Sequence, residues 1–170
     1  MRTNPLNVLI LCTGNSCRSI MGEALVRELG QERLKAHSAG SQPVGYIHPE
    51  ALATLRRHGL PTDGYTSKSL DIFDGQPVDI LITVCDAAAR ETCPVFLGPA
   101  VRAHWGLRDP GHVEGDAATV IAAFDHTFDI LRRRIQAMVG LPLETMKPDD
   151  IAAELARIAD EIPESTEVSA

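Results

Sequence analysis

The stretch "NVLILCTGNSCRSIMGEAL" at residues 7–25 runs from a purely apolar segment through a small polar loop into a helical pattern. "NVLIL" (7–11) is continuously apolar rather than alternating, as a central parallel strand covered on both faces requires. From Ser19 onward, Ile20, Ala24, Leu25 and Leu29 follow helical spacing, and Gly30 stands where a helix ends. Cys12 therefore falls at the carboxyl end of a buried strand, the edge at which open parallel sheets build their sites.

The alternation continues outward from this unit. "LKAHSAG" (34–40) reads as a second strand and "HPEALATLRRHGL" (48–60) as an amphipathic helix, followed by a loop, "GLPTDGYTSKSL". "VDILITV" (78–84) is the third strand and "VRAHW" (101–105) a weaker fourth. Residues 116–140 read as a long helix and 147–162 as a last one, with Pro148 near its start. Strands alternating with helices predict an α/β fold with helices on both faces of a parallel sheet. At 170 residues the chain is most economically one domain.

The net charge of -7, with no Lys/Arg block, argues against nucleic acid as a partner. No apolar run reaches transmembrane length and "MRTNPLN" lacks the features of a signal peptide, so a cytoplasmic chain with no membrane partner is expected. In that compartment the 4 cysteines point to catalysis, redox chemistry or metal binding rather than a disulfide framework.

The loop Thr13, Gly14, Asn15, Ser16, Cys17 is small and polar, so its amides can turn inward; Gly14 and Asn15 tolerate the dihedrals such a turn needs. A helix starting near Cys17 and Arg18 adds positive potential, and Arg18 supplies a planar fork of donors. Together they form a cradle for a tetrahedral oxyanion. The same field favours thiolate over thiol at Cys12, and Ser19 can donate a hydrogen bond to that sulfur. A nucleotide phosphate loop is excluded, because no G-K-[ST] follows. A buried structural cysteine beside a surface arginine is the plainer alternative.

"CTGNSCRS" with a downstream Asp-Pro resembles the low-molecular-weight protein tyrosine phosphatase fold, and within it the arsenate reductases of the thioredoxin-coupled type. The motifs carrying the resemblance are "VLILCTGNSCRSIMGEAL", "HSAG", "TSKS", "TVCDAAARETCPVF" and "HWGLRDP". The resemblance implies a flavodoxin-like three-layer sandwich with a four-stranded parallel sheet over residues 1–140. Residues 141–170 form a C-terminal extension whose Ile151, Leu155 and Ile158 are expected to pack on the same domain ahead of a frayed tail.

Cys85 ends strand 78–84 at the same sheet edge as Cys12, so the two sulfurs can approach. If 86–93 is helical, Cys85 and Cys93 lie about 12 Å apart along its axis, from the rise per residue. A disulfide needs Cα atoms within roughly 7 Å, so these two pair only if the segment unwinds. The resemblance implies a relay in which Cys12 attacks arsenate and Asp109 protonates the departing oxygen. Cys85 then attacks Cys12 with release of arsenite, and Cys93 moves the disulfide to 85–93. No bound cofactor is implied. An external thiol, thioredoxin or else glutaredoxin with glutathione, returns the electrons. Phosphate and sulfate are expected analogues of the substrate.

Some arsenate reductases of this fold bind potassium behind the loop through an Asn, a Glu, a Ser and an Asp. Asn15, Glu23 and Ser38 match, but the Asp position holds Lys68, whose ammonium could stand where the cation would be, so no metal is expected. A zinc site of Cys12, Cys17, Cys85 and Cys93 is disfavoured, since no C-x2-C pair is present. "PGHVEGD" after Asp109 lacks the tyrosine with which phosphatases of this fold flank an aromatic substrate, leaving Tyr46 and Tyr65. His104 and Trp105 are expected to shape the loop. Two other readings stay open: a low-molecular-weight protein tyrosine phosphatase using Cys12, Arg18 and Asp109 alone, and an oxyanion-binding redox sensor without turnover.

Overall fold

The computed structural model describes residues 4–86 and 95–164. Its centre is a four-stranded, all-parallel sheet of β1 (Leu6–Cys12), β2 (Leu34–Gly40), β3 (Ile80–Thr83) and β4 (Val101–His104), in the order β2-β1-β3-β4. β1 is central, paired to β2 on one side and β3 on the other, so the strand order reverses at the β1/β3 boundary. That boundary is the topological switch point of a flavodoxin-like sheet, outside whose carboxyl ends ligands bind. Cys12 is the last residue of β1.

The strands alternate between two cores, as their pleat demands. Val8 and Ile10 of β1 and Ile82 of β3 share one cluster with apolar sides of helices α1 (Arg18–Gly30), α2 (Pro49–Arg57), α3 (Ala117–Val139) and α4 (Pro148–Glu161). Leu9 and Leu11 face the other way, into a smaller cluster with Phe73, Val78 and Leu81. Among the described residues that second face is covered by a single 3-10 turn, Leu70–Phe73, and by Phe96 and Ala100. The turn lies at the end of the segment read as loop. Ser69 caps it by accepting from the Asp71 amide, and Phe73 is its buried contribution.

Helix ends follow from local chemistry. α2 is shorter than the 48–60 reading because His48 is its cap, with Nδ1 accepting from the Glu50 amide at 3.0 Å, and because Gly59 turns the chain at φ 78°. α3 starts at Asp116, whose carboxylate accepts from the Thr119 amide. The apolar run of 78–84 outlasts its strand: Val78 and Val84 are buried outside the four ladder residues, and the Val84 amide still bonds Leu11 O at 2.8 Å.

In α4, Ile151, Leu155 and Ile158 are all buried, and Trp105 Nε1 donates to Leu155 O at 2.9 Å, fastening the helix over the end of β4. Cys93, the helical turn expected before it and the tail beyond residue 164 lie outside the described residues. Among those described, no helix is long and apolar enough to cross a membrane.

Candidate functional site

The loop from Thr13 to Cys17 is shaped by where its carbonyls go. Thr13 O accepts from the Gln42 amide, Gly14 O from the Val44 amide and Ser67 Oγ, and Ser16 O from the His48 amide. Carbonyls held outward turn the intervening amides toward the loop interior, the arrangement that binds anions. Asn15 takes the left-handed conformation, φ 49°, and its amide donates to Cys12 Sγ at 3.2 Å. Gly14, paired with Asn15 in the sequence reading, is not in that conformation. A Cβ there would stand 3.3 Å from Cγ1 of the exposed Val44, a close contact that a small shift of that side chain relieves.

The sequence reading passed over Gly40. A Cβ on it would lie 2.4 Å from Thr13 O and 3.0 Å from the Asn15 amide, so the end of β2 abuts the loop only as glycine. Its signal was the final Gly of "HSAG".

Cys12 is 2% exposed; it and the buried Cys17 are both free. Ser19 Oγ lies 2.9 Å from Cys12 Sγ and accepts from Asn15 Nδ2 at 2.8 Å, which leaves the serine proton for the sulfur. Asn15 Nδ2 donates also to Ser38 Oγ, and Ser38 in turn to Glu23 Oε1. Cys17 is buried under the loop. Burial, with the Asp109 carboxylate and Cys12 adding to it, pushes its thiol far above the ordinary range, so it stays protonated. It makes no side-chain cap on α1, whose N-terminal dipole is directed at the loop.

Arg18 is 2% exposed. Its Nη1 donates to Leu107 O at 3.0 Å and Val84 O at 3.3 Å, and its Nη2 stands 3.5 Å from Asp109 Oδ2. Asp109 is both a turn residue and a cleft residue. Its Oδ1 caps the turn Pro110–His112 by accepting from the Gly111 amide, while Oδ2 faces Arg18 and His112. Cys85 is fully buried two residues past the end of β3, the strand next to β1. It is disulfide-bonded. Gly106 of "HWG" admits the His104 ring beside it: a Cβ would meet His104 Nε2 at 2.8 Å and Cys85 O at 3.2 Å.

These residues open into a cleft of about 840 Å³ lined by Cys12, Arg18 and Asp109 and, at its walls, by Gln42, Val44, Tyr46, His48, Arg108 and Glu114. Of the wall residues only Tyr46 was named from the sequence, with Tyr65, as a tyrosine left to flank an aromatic substrate; Tyr65 does not line the cleft. A tetrahedral oxyanion occupies only a small part of a space this size.

Lys68 stands where the resemblance would place potassium. Its Nζ donates to Thr66 O at 2.7 Å and lies 3.4 Å from Ser38 Oγ, 3.5 Å from Asn15 Oδ1 and 3.9 Å from Glu23 Oε1. A resident ammonium within this oxygen cluster leaves no place for the cation, and the residues do not fit a potassium site. Among the described residues no cluster of His, Cys, Asp and Glu could hold a metal ion. Exchanging potassium for sodium salts is expected to change wild-type kcat/KM less than about twofold, whereas Lys68→Met lowers it about tenfold by loosening Asn15. Steady-state kinetics in the two salts checks both.

Burial raises the Glu23 carboxyl above its ordinary value, opposed by Ser38, Lys68 and Arg27, while burial lowers the Lys68 ammonium. A carboxyl raised in the folded state contributes stability below its unfolded value of 4.5, lost as pH rises through the folded value. Glu23→Gln, permanently neutral, escapes that loss. Its thermal midpoint relative to wild type should therefore climb with pH above 4.5, and a pH-independent difference would contradict the assignment.

A model of the family described as low molecular weight phosphotyrosine protein phosphatase matches residues 7–152, most of the chain. The chain belongs to this family. Among its phosphatase-family relatives, the arsenate reductase of Halalkalibacterium halodurans is 33% identical over 129 residues, 76% of this chain and 91% of the relative. An arsenate reductase solved in its phosphate-binding state superposes with a TM-score of 0.65 at 25% identity, covering 79% of this chain and 96% of the other. The thioredoxin-dependent arsenate reductase of Corynebacterium glutamicum superposes with a TM-score of 0.56 at 26% identity, over 80% of this chain and 64% of that one.

Proposed function

We propose that the chain reduces arsenate to arsenite through a cysteine relay and draws its electrons from thioredoxin. The observation that carries the reading is the pair of sulfurs at the β1/β3 switch point. A free thiol in an oxyanion cradle stands on the strand next to a disulfide-bonded Cys85. Hydrolysis of a phosphate ester makes no use of the second sulfur. The arsenate reductases among the relatives support the same choice.

Cys12 attacks the arsenic, forming an S–As bond, and Asp109 protonates the oxygen that leaves as water. Cys85 thiolate then attacks Cys12 Sγ. The S–S bond forms, the S–As bond breaks, and its electron pair stays on arsenic, which departs as arsenite. Cys93 attacks Cys85 and releases Cys12, and thioredoxin reduces the remaining disulfide by ordinary exchange. Thr13, Gly14, Asn15, Ser16 and Cys17 bind the oxyanion through their backbone, and Arg18 through its guanidinium. Ser19 holds its proton toward the Cys12 sulfur. Such exchange needs a reducing compartment, and the cytoplasm is the location proposed.

Fully reduced protein mixed with excess arsenate and no reductant is expected to release one arsenite per chain. Release of none, with steady hydrolysis of p-nitrophenyl phosphate, would assign the chain to the phosphatases. One observation favours some aryl phosphatase activity alongside: Tyr46, 60% exposed, lines the cleft with Val44 and offers a wall for an aromatic ring.

A further inference from the structure

The segment that follows α4 reaches back to the loop carrying Asp109. Glu164 Oε2 accepts from the Arg108 amide at 2.8 Å, and the Glu164 carbonyl is 3.1 Å from His126 Nε2 of α3. Two residues earlier, Ile162 O accepts from Arg134 Nε at 2.9 Å. The same buried guanidinium donates through Nη1 to Trp105 O at 3.0 Å. Residues 162–164 lie beyond the stretch that the family model matches.

The Arg108 amide and the Leu107 carbonyl belong to one peptide unit. In a trans peptide the two point in opposite directions, and the described chain has no cis bond. One edge of this plane is bonded to Glu164, while the other accepts from Arg18 Nη1 at 3.0 Å. Asp109, next in the chain, stands 3.5 Å from Arg18 Nη2. A single rigid plane thus joins the C-terminal segment to the arginine and acid of the cleft.

We propose that residues 162–164 act as a strap that sets the position of Arg18 and Asp109 through the Leu107–Arg108 peptide, with Glu164 as its positioning residue. Glu164 is not among the residues that line the cleft. It fixes the tilt of the plane, and so the direction of the Leu107 carbonyl that steers Arg18. The carboxylate lies in a partly exposed place, so its removal leaves the amide to water and the fold intact.

The proposal rests on the arsenate reading for its rate measurement and on no reading for its exchange measurement. In Glu164→Ala, hydrogen exchange of the Arg108 amide in the substrate-free protein should accelerate about tenfold or more, as for an amide losing its acceptor. Arsenate kcat/KM should fall about tenfold, the cost of a small misplacement of reacting groups. The thermal midpoint should stay near that of wild type. Glu164→Gln keeps an acceptor oxygen and should recover both quantities to within about threefold. Unchanged exchange in the alanine variant would overturn the strap, as would faster exchange with unchanged kcat/KM, or alanine and glutamine variants equally impaired. Absence of arsenate turnover in wild type would instead fail the proposed function, and the exchange comparison alone would then decide the strap.

Discussion

Replacing Cys12 with serine should reduce arsenite formation by at least about a thousandfold, the scale on which loss of an essential nucleophile is felt. The substitution is nearly isosteric and the site is buried, so the fold should persist, and oxyanion binding with it. Of the loop amides only that of Asn15 bonds the sulfur; the carbonyl contacts that shape the loop and the Arg18 guanidinium are held by other partners. A serine hydroxyl in the same place meets the Ser19 hydroxyl and the Asn15 amide but has neither thiolate chemistry nor the capacity to form a disulfide. Phosphate binding by titration calorimetry together with arsenite yield separates the two properties. Retained phosphate binding with no arsenite is the expected pair. Arsenite from the Cys12→Ser chain would remove the nucleophile from its role.

The second large effect divides the two downstream cysteines by stoichiometry. Cys85→Ser should release no arsenite, because the S–As adduct on Cys12 loses the thiol that resolves it and burial keeps the Cys17 thiol protonated. Cys93→Ser should release one arsenite per chain and then stop, since the disulfide cannot be passed on to thioredoxin. Wild type with thioredoxin should continue without limit. Cys85 is fully buried two residues past the end of β3, the strand that pairs with the one ending in Cys12. Unimpaired steady recycling by Cys93→Ser would contradict the relay, as would full turnover by Cys85→Ser.

The site's core could be read in the sequence because its signals are local. An unbroken apolar run ending at Cys12 fixes a buried strand and its carboxyl end, and five residues later Arg18 opens the helix. Ile151, Leu155 and Ile158 likewise announce a buried face through spacing alone, and all three are buried. What eluded the sequence depends on elements meeting in space. The Lys68 ammonium among Asn15, Glu23 and Ser38 was legible through the family resemblance alone; the contact that puts it there, the Gly40 amide bonding Lys68 O, follows no periodicity. Tyr46 and His48 reach the cleft because residues 42–48 tie themselves to the carbonyls of the loop. Glu164 meets Arg108 across 56 positions of sequence. Even within the loop, residue type misdirected: two residues were eligible for the left-handed turn and Asn15 alone takes it, because its side chain is also needed between Ser19, Ser38 and Lys68.

The network behind the nucleophile has a consistent direction. The Lys68 amide and ammonium address Asn15 Oδ1, so Asn15 Nδ2 must face the two serines, and the Ser19 proton is left for Cys12. An ammonium carried by the chain itself needs no ion from solution, which is why salt exchange and Lys68→Met should separate so clearly.

The most direct test of the proposed reaction is arsenate-dependent NADPH oxidation by the purified protein supplied with thioredoxin and thioredoxin reductase. Steady oxidation that stops when arsenate or thioredoxin is omitted is expected, with one arsenite formed for each NADPH consumed. No arsenate-dependent oxidation, from protein whose thiols are fully reduced and which still binds phosphate, would contradict it.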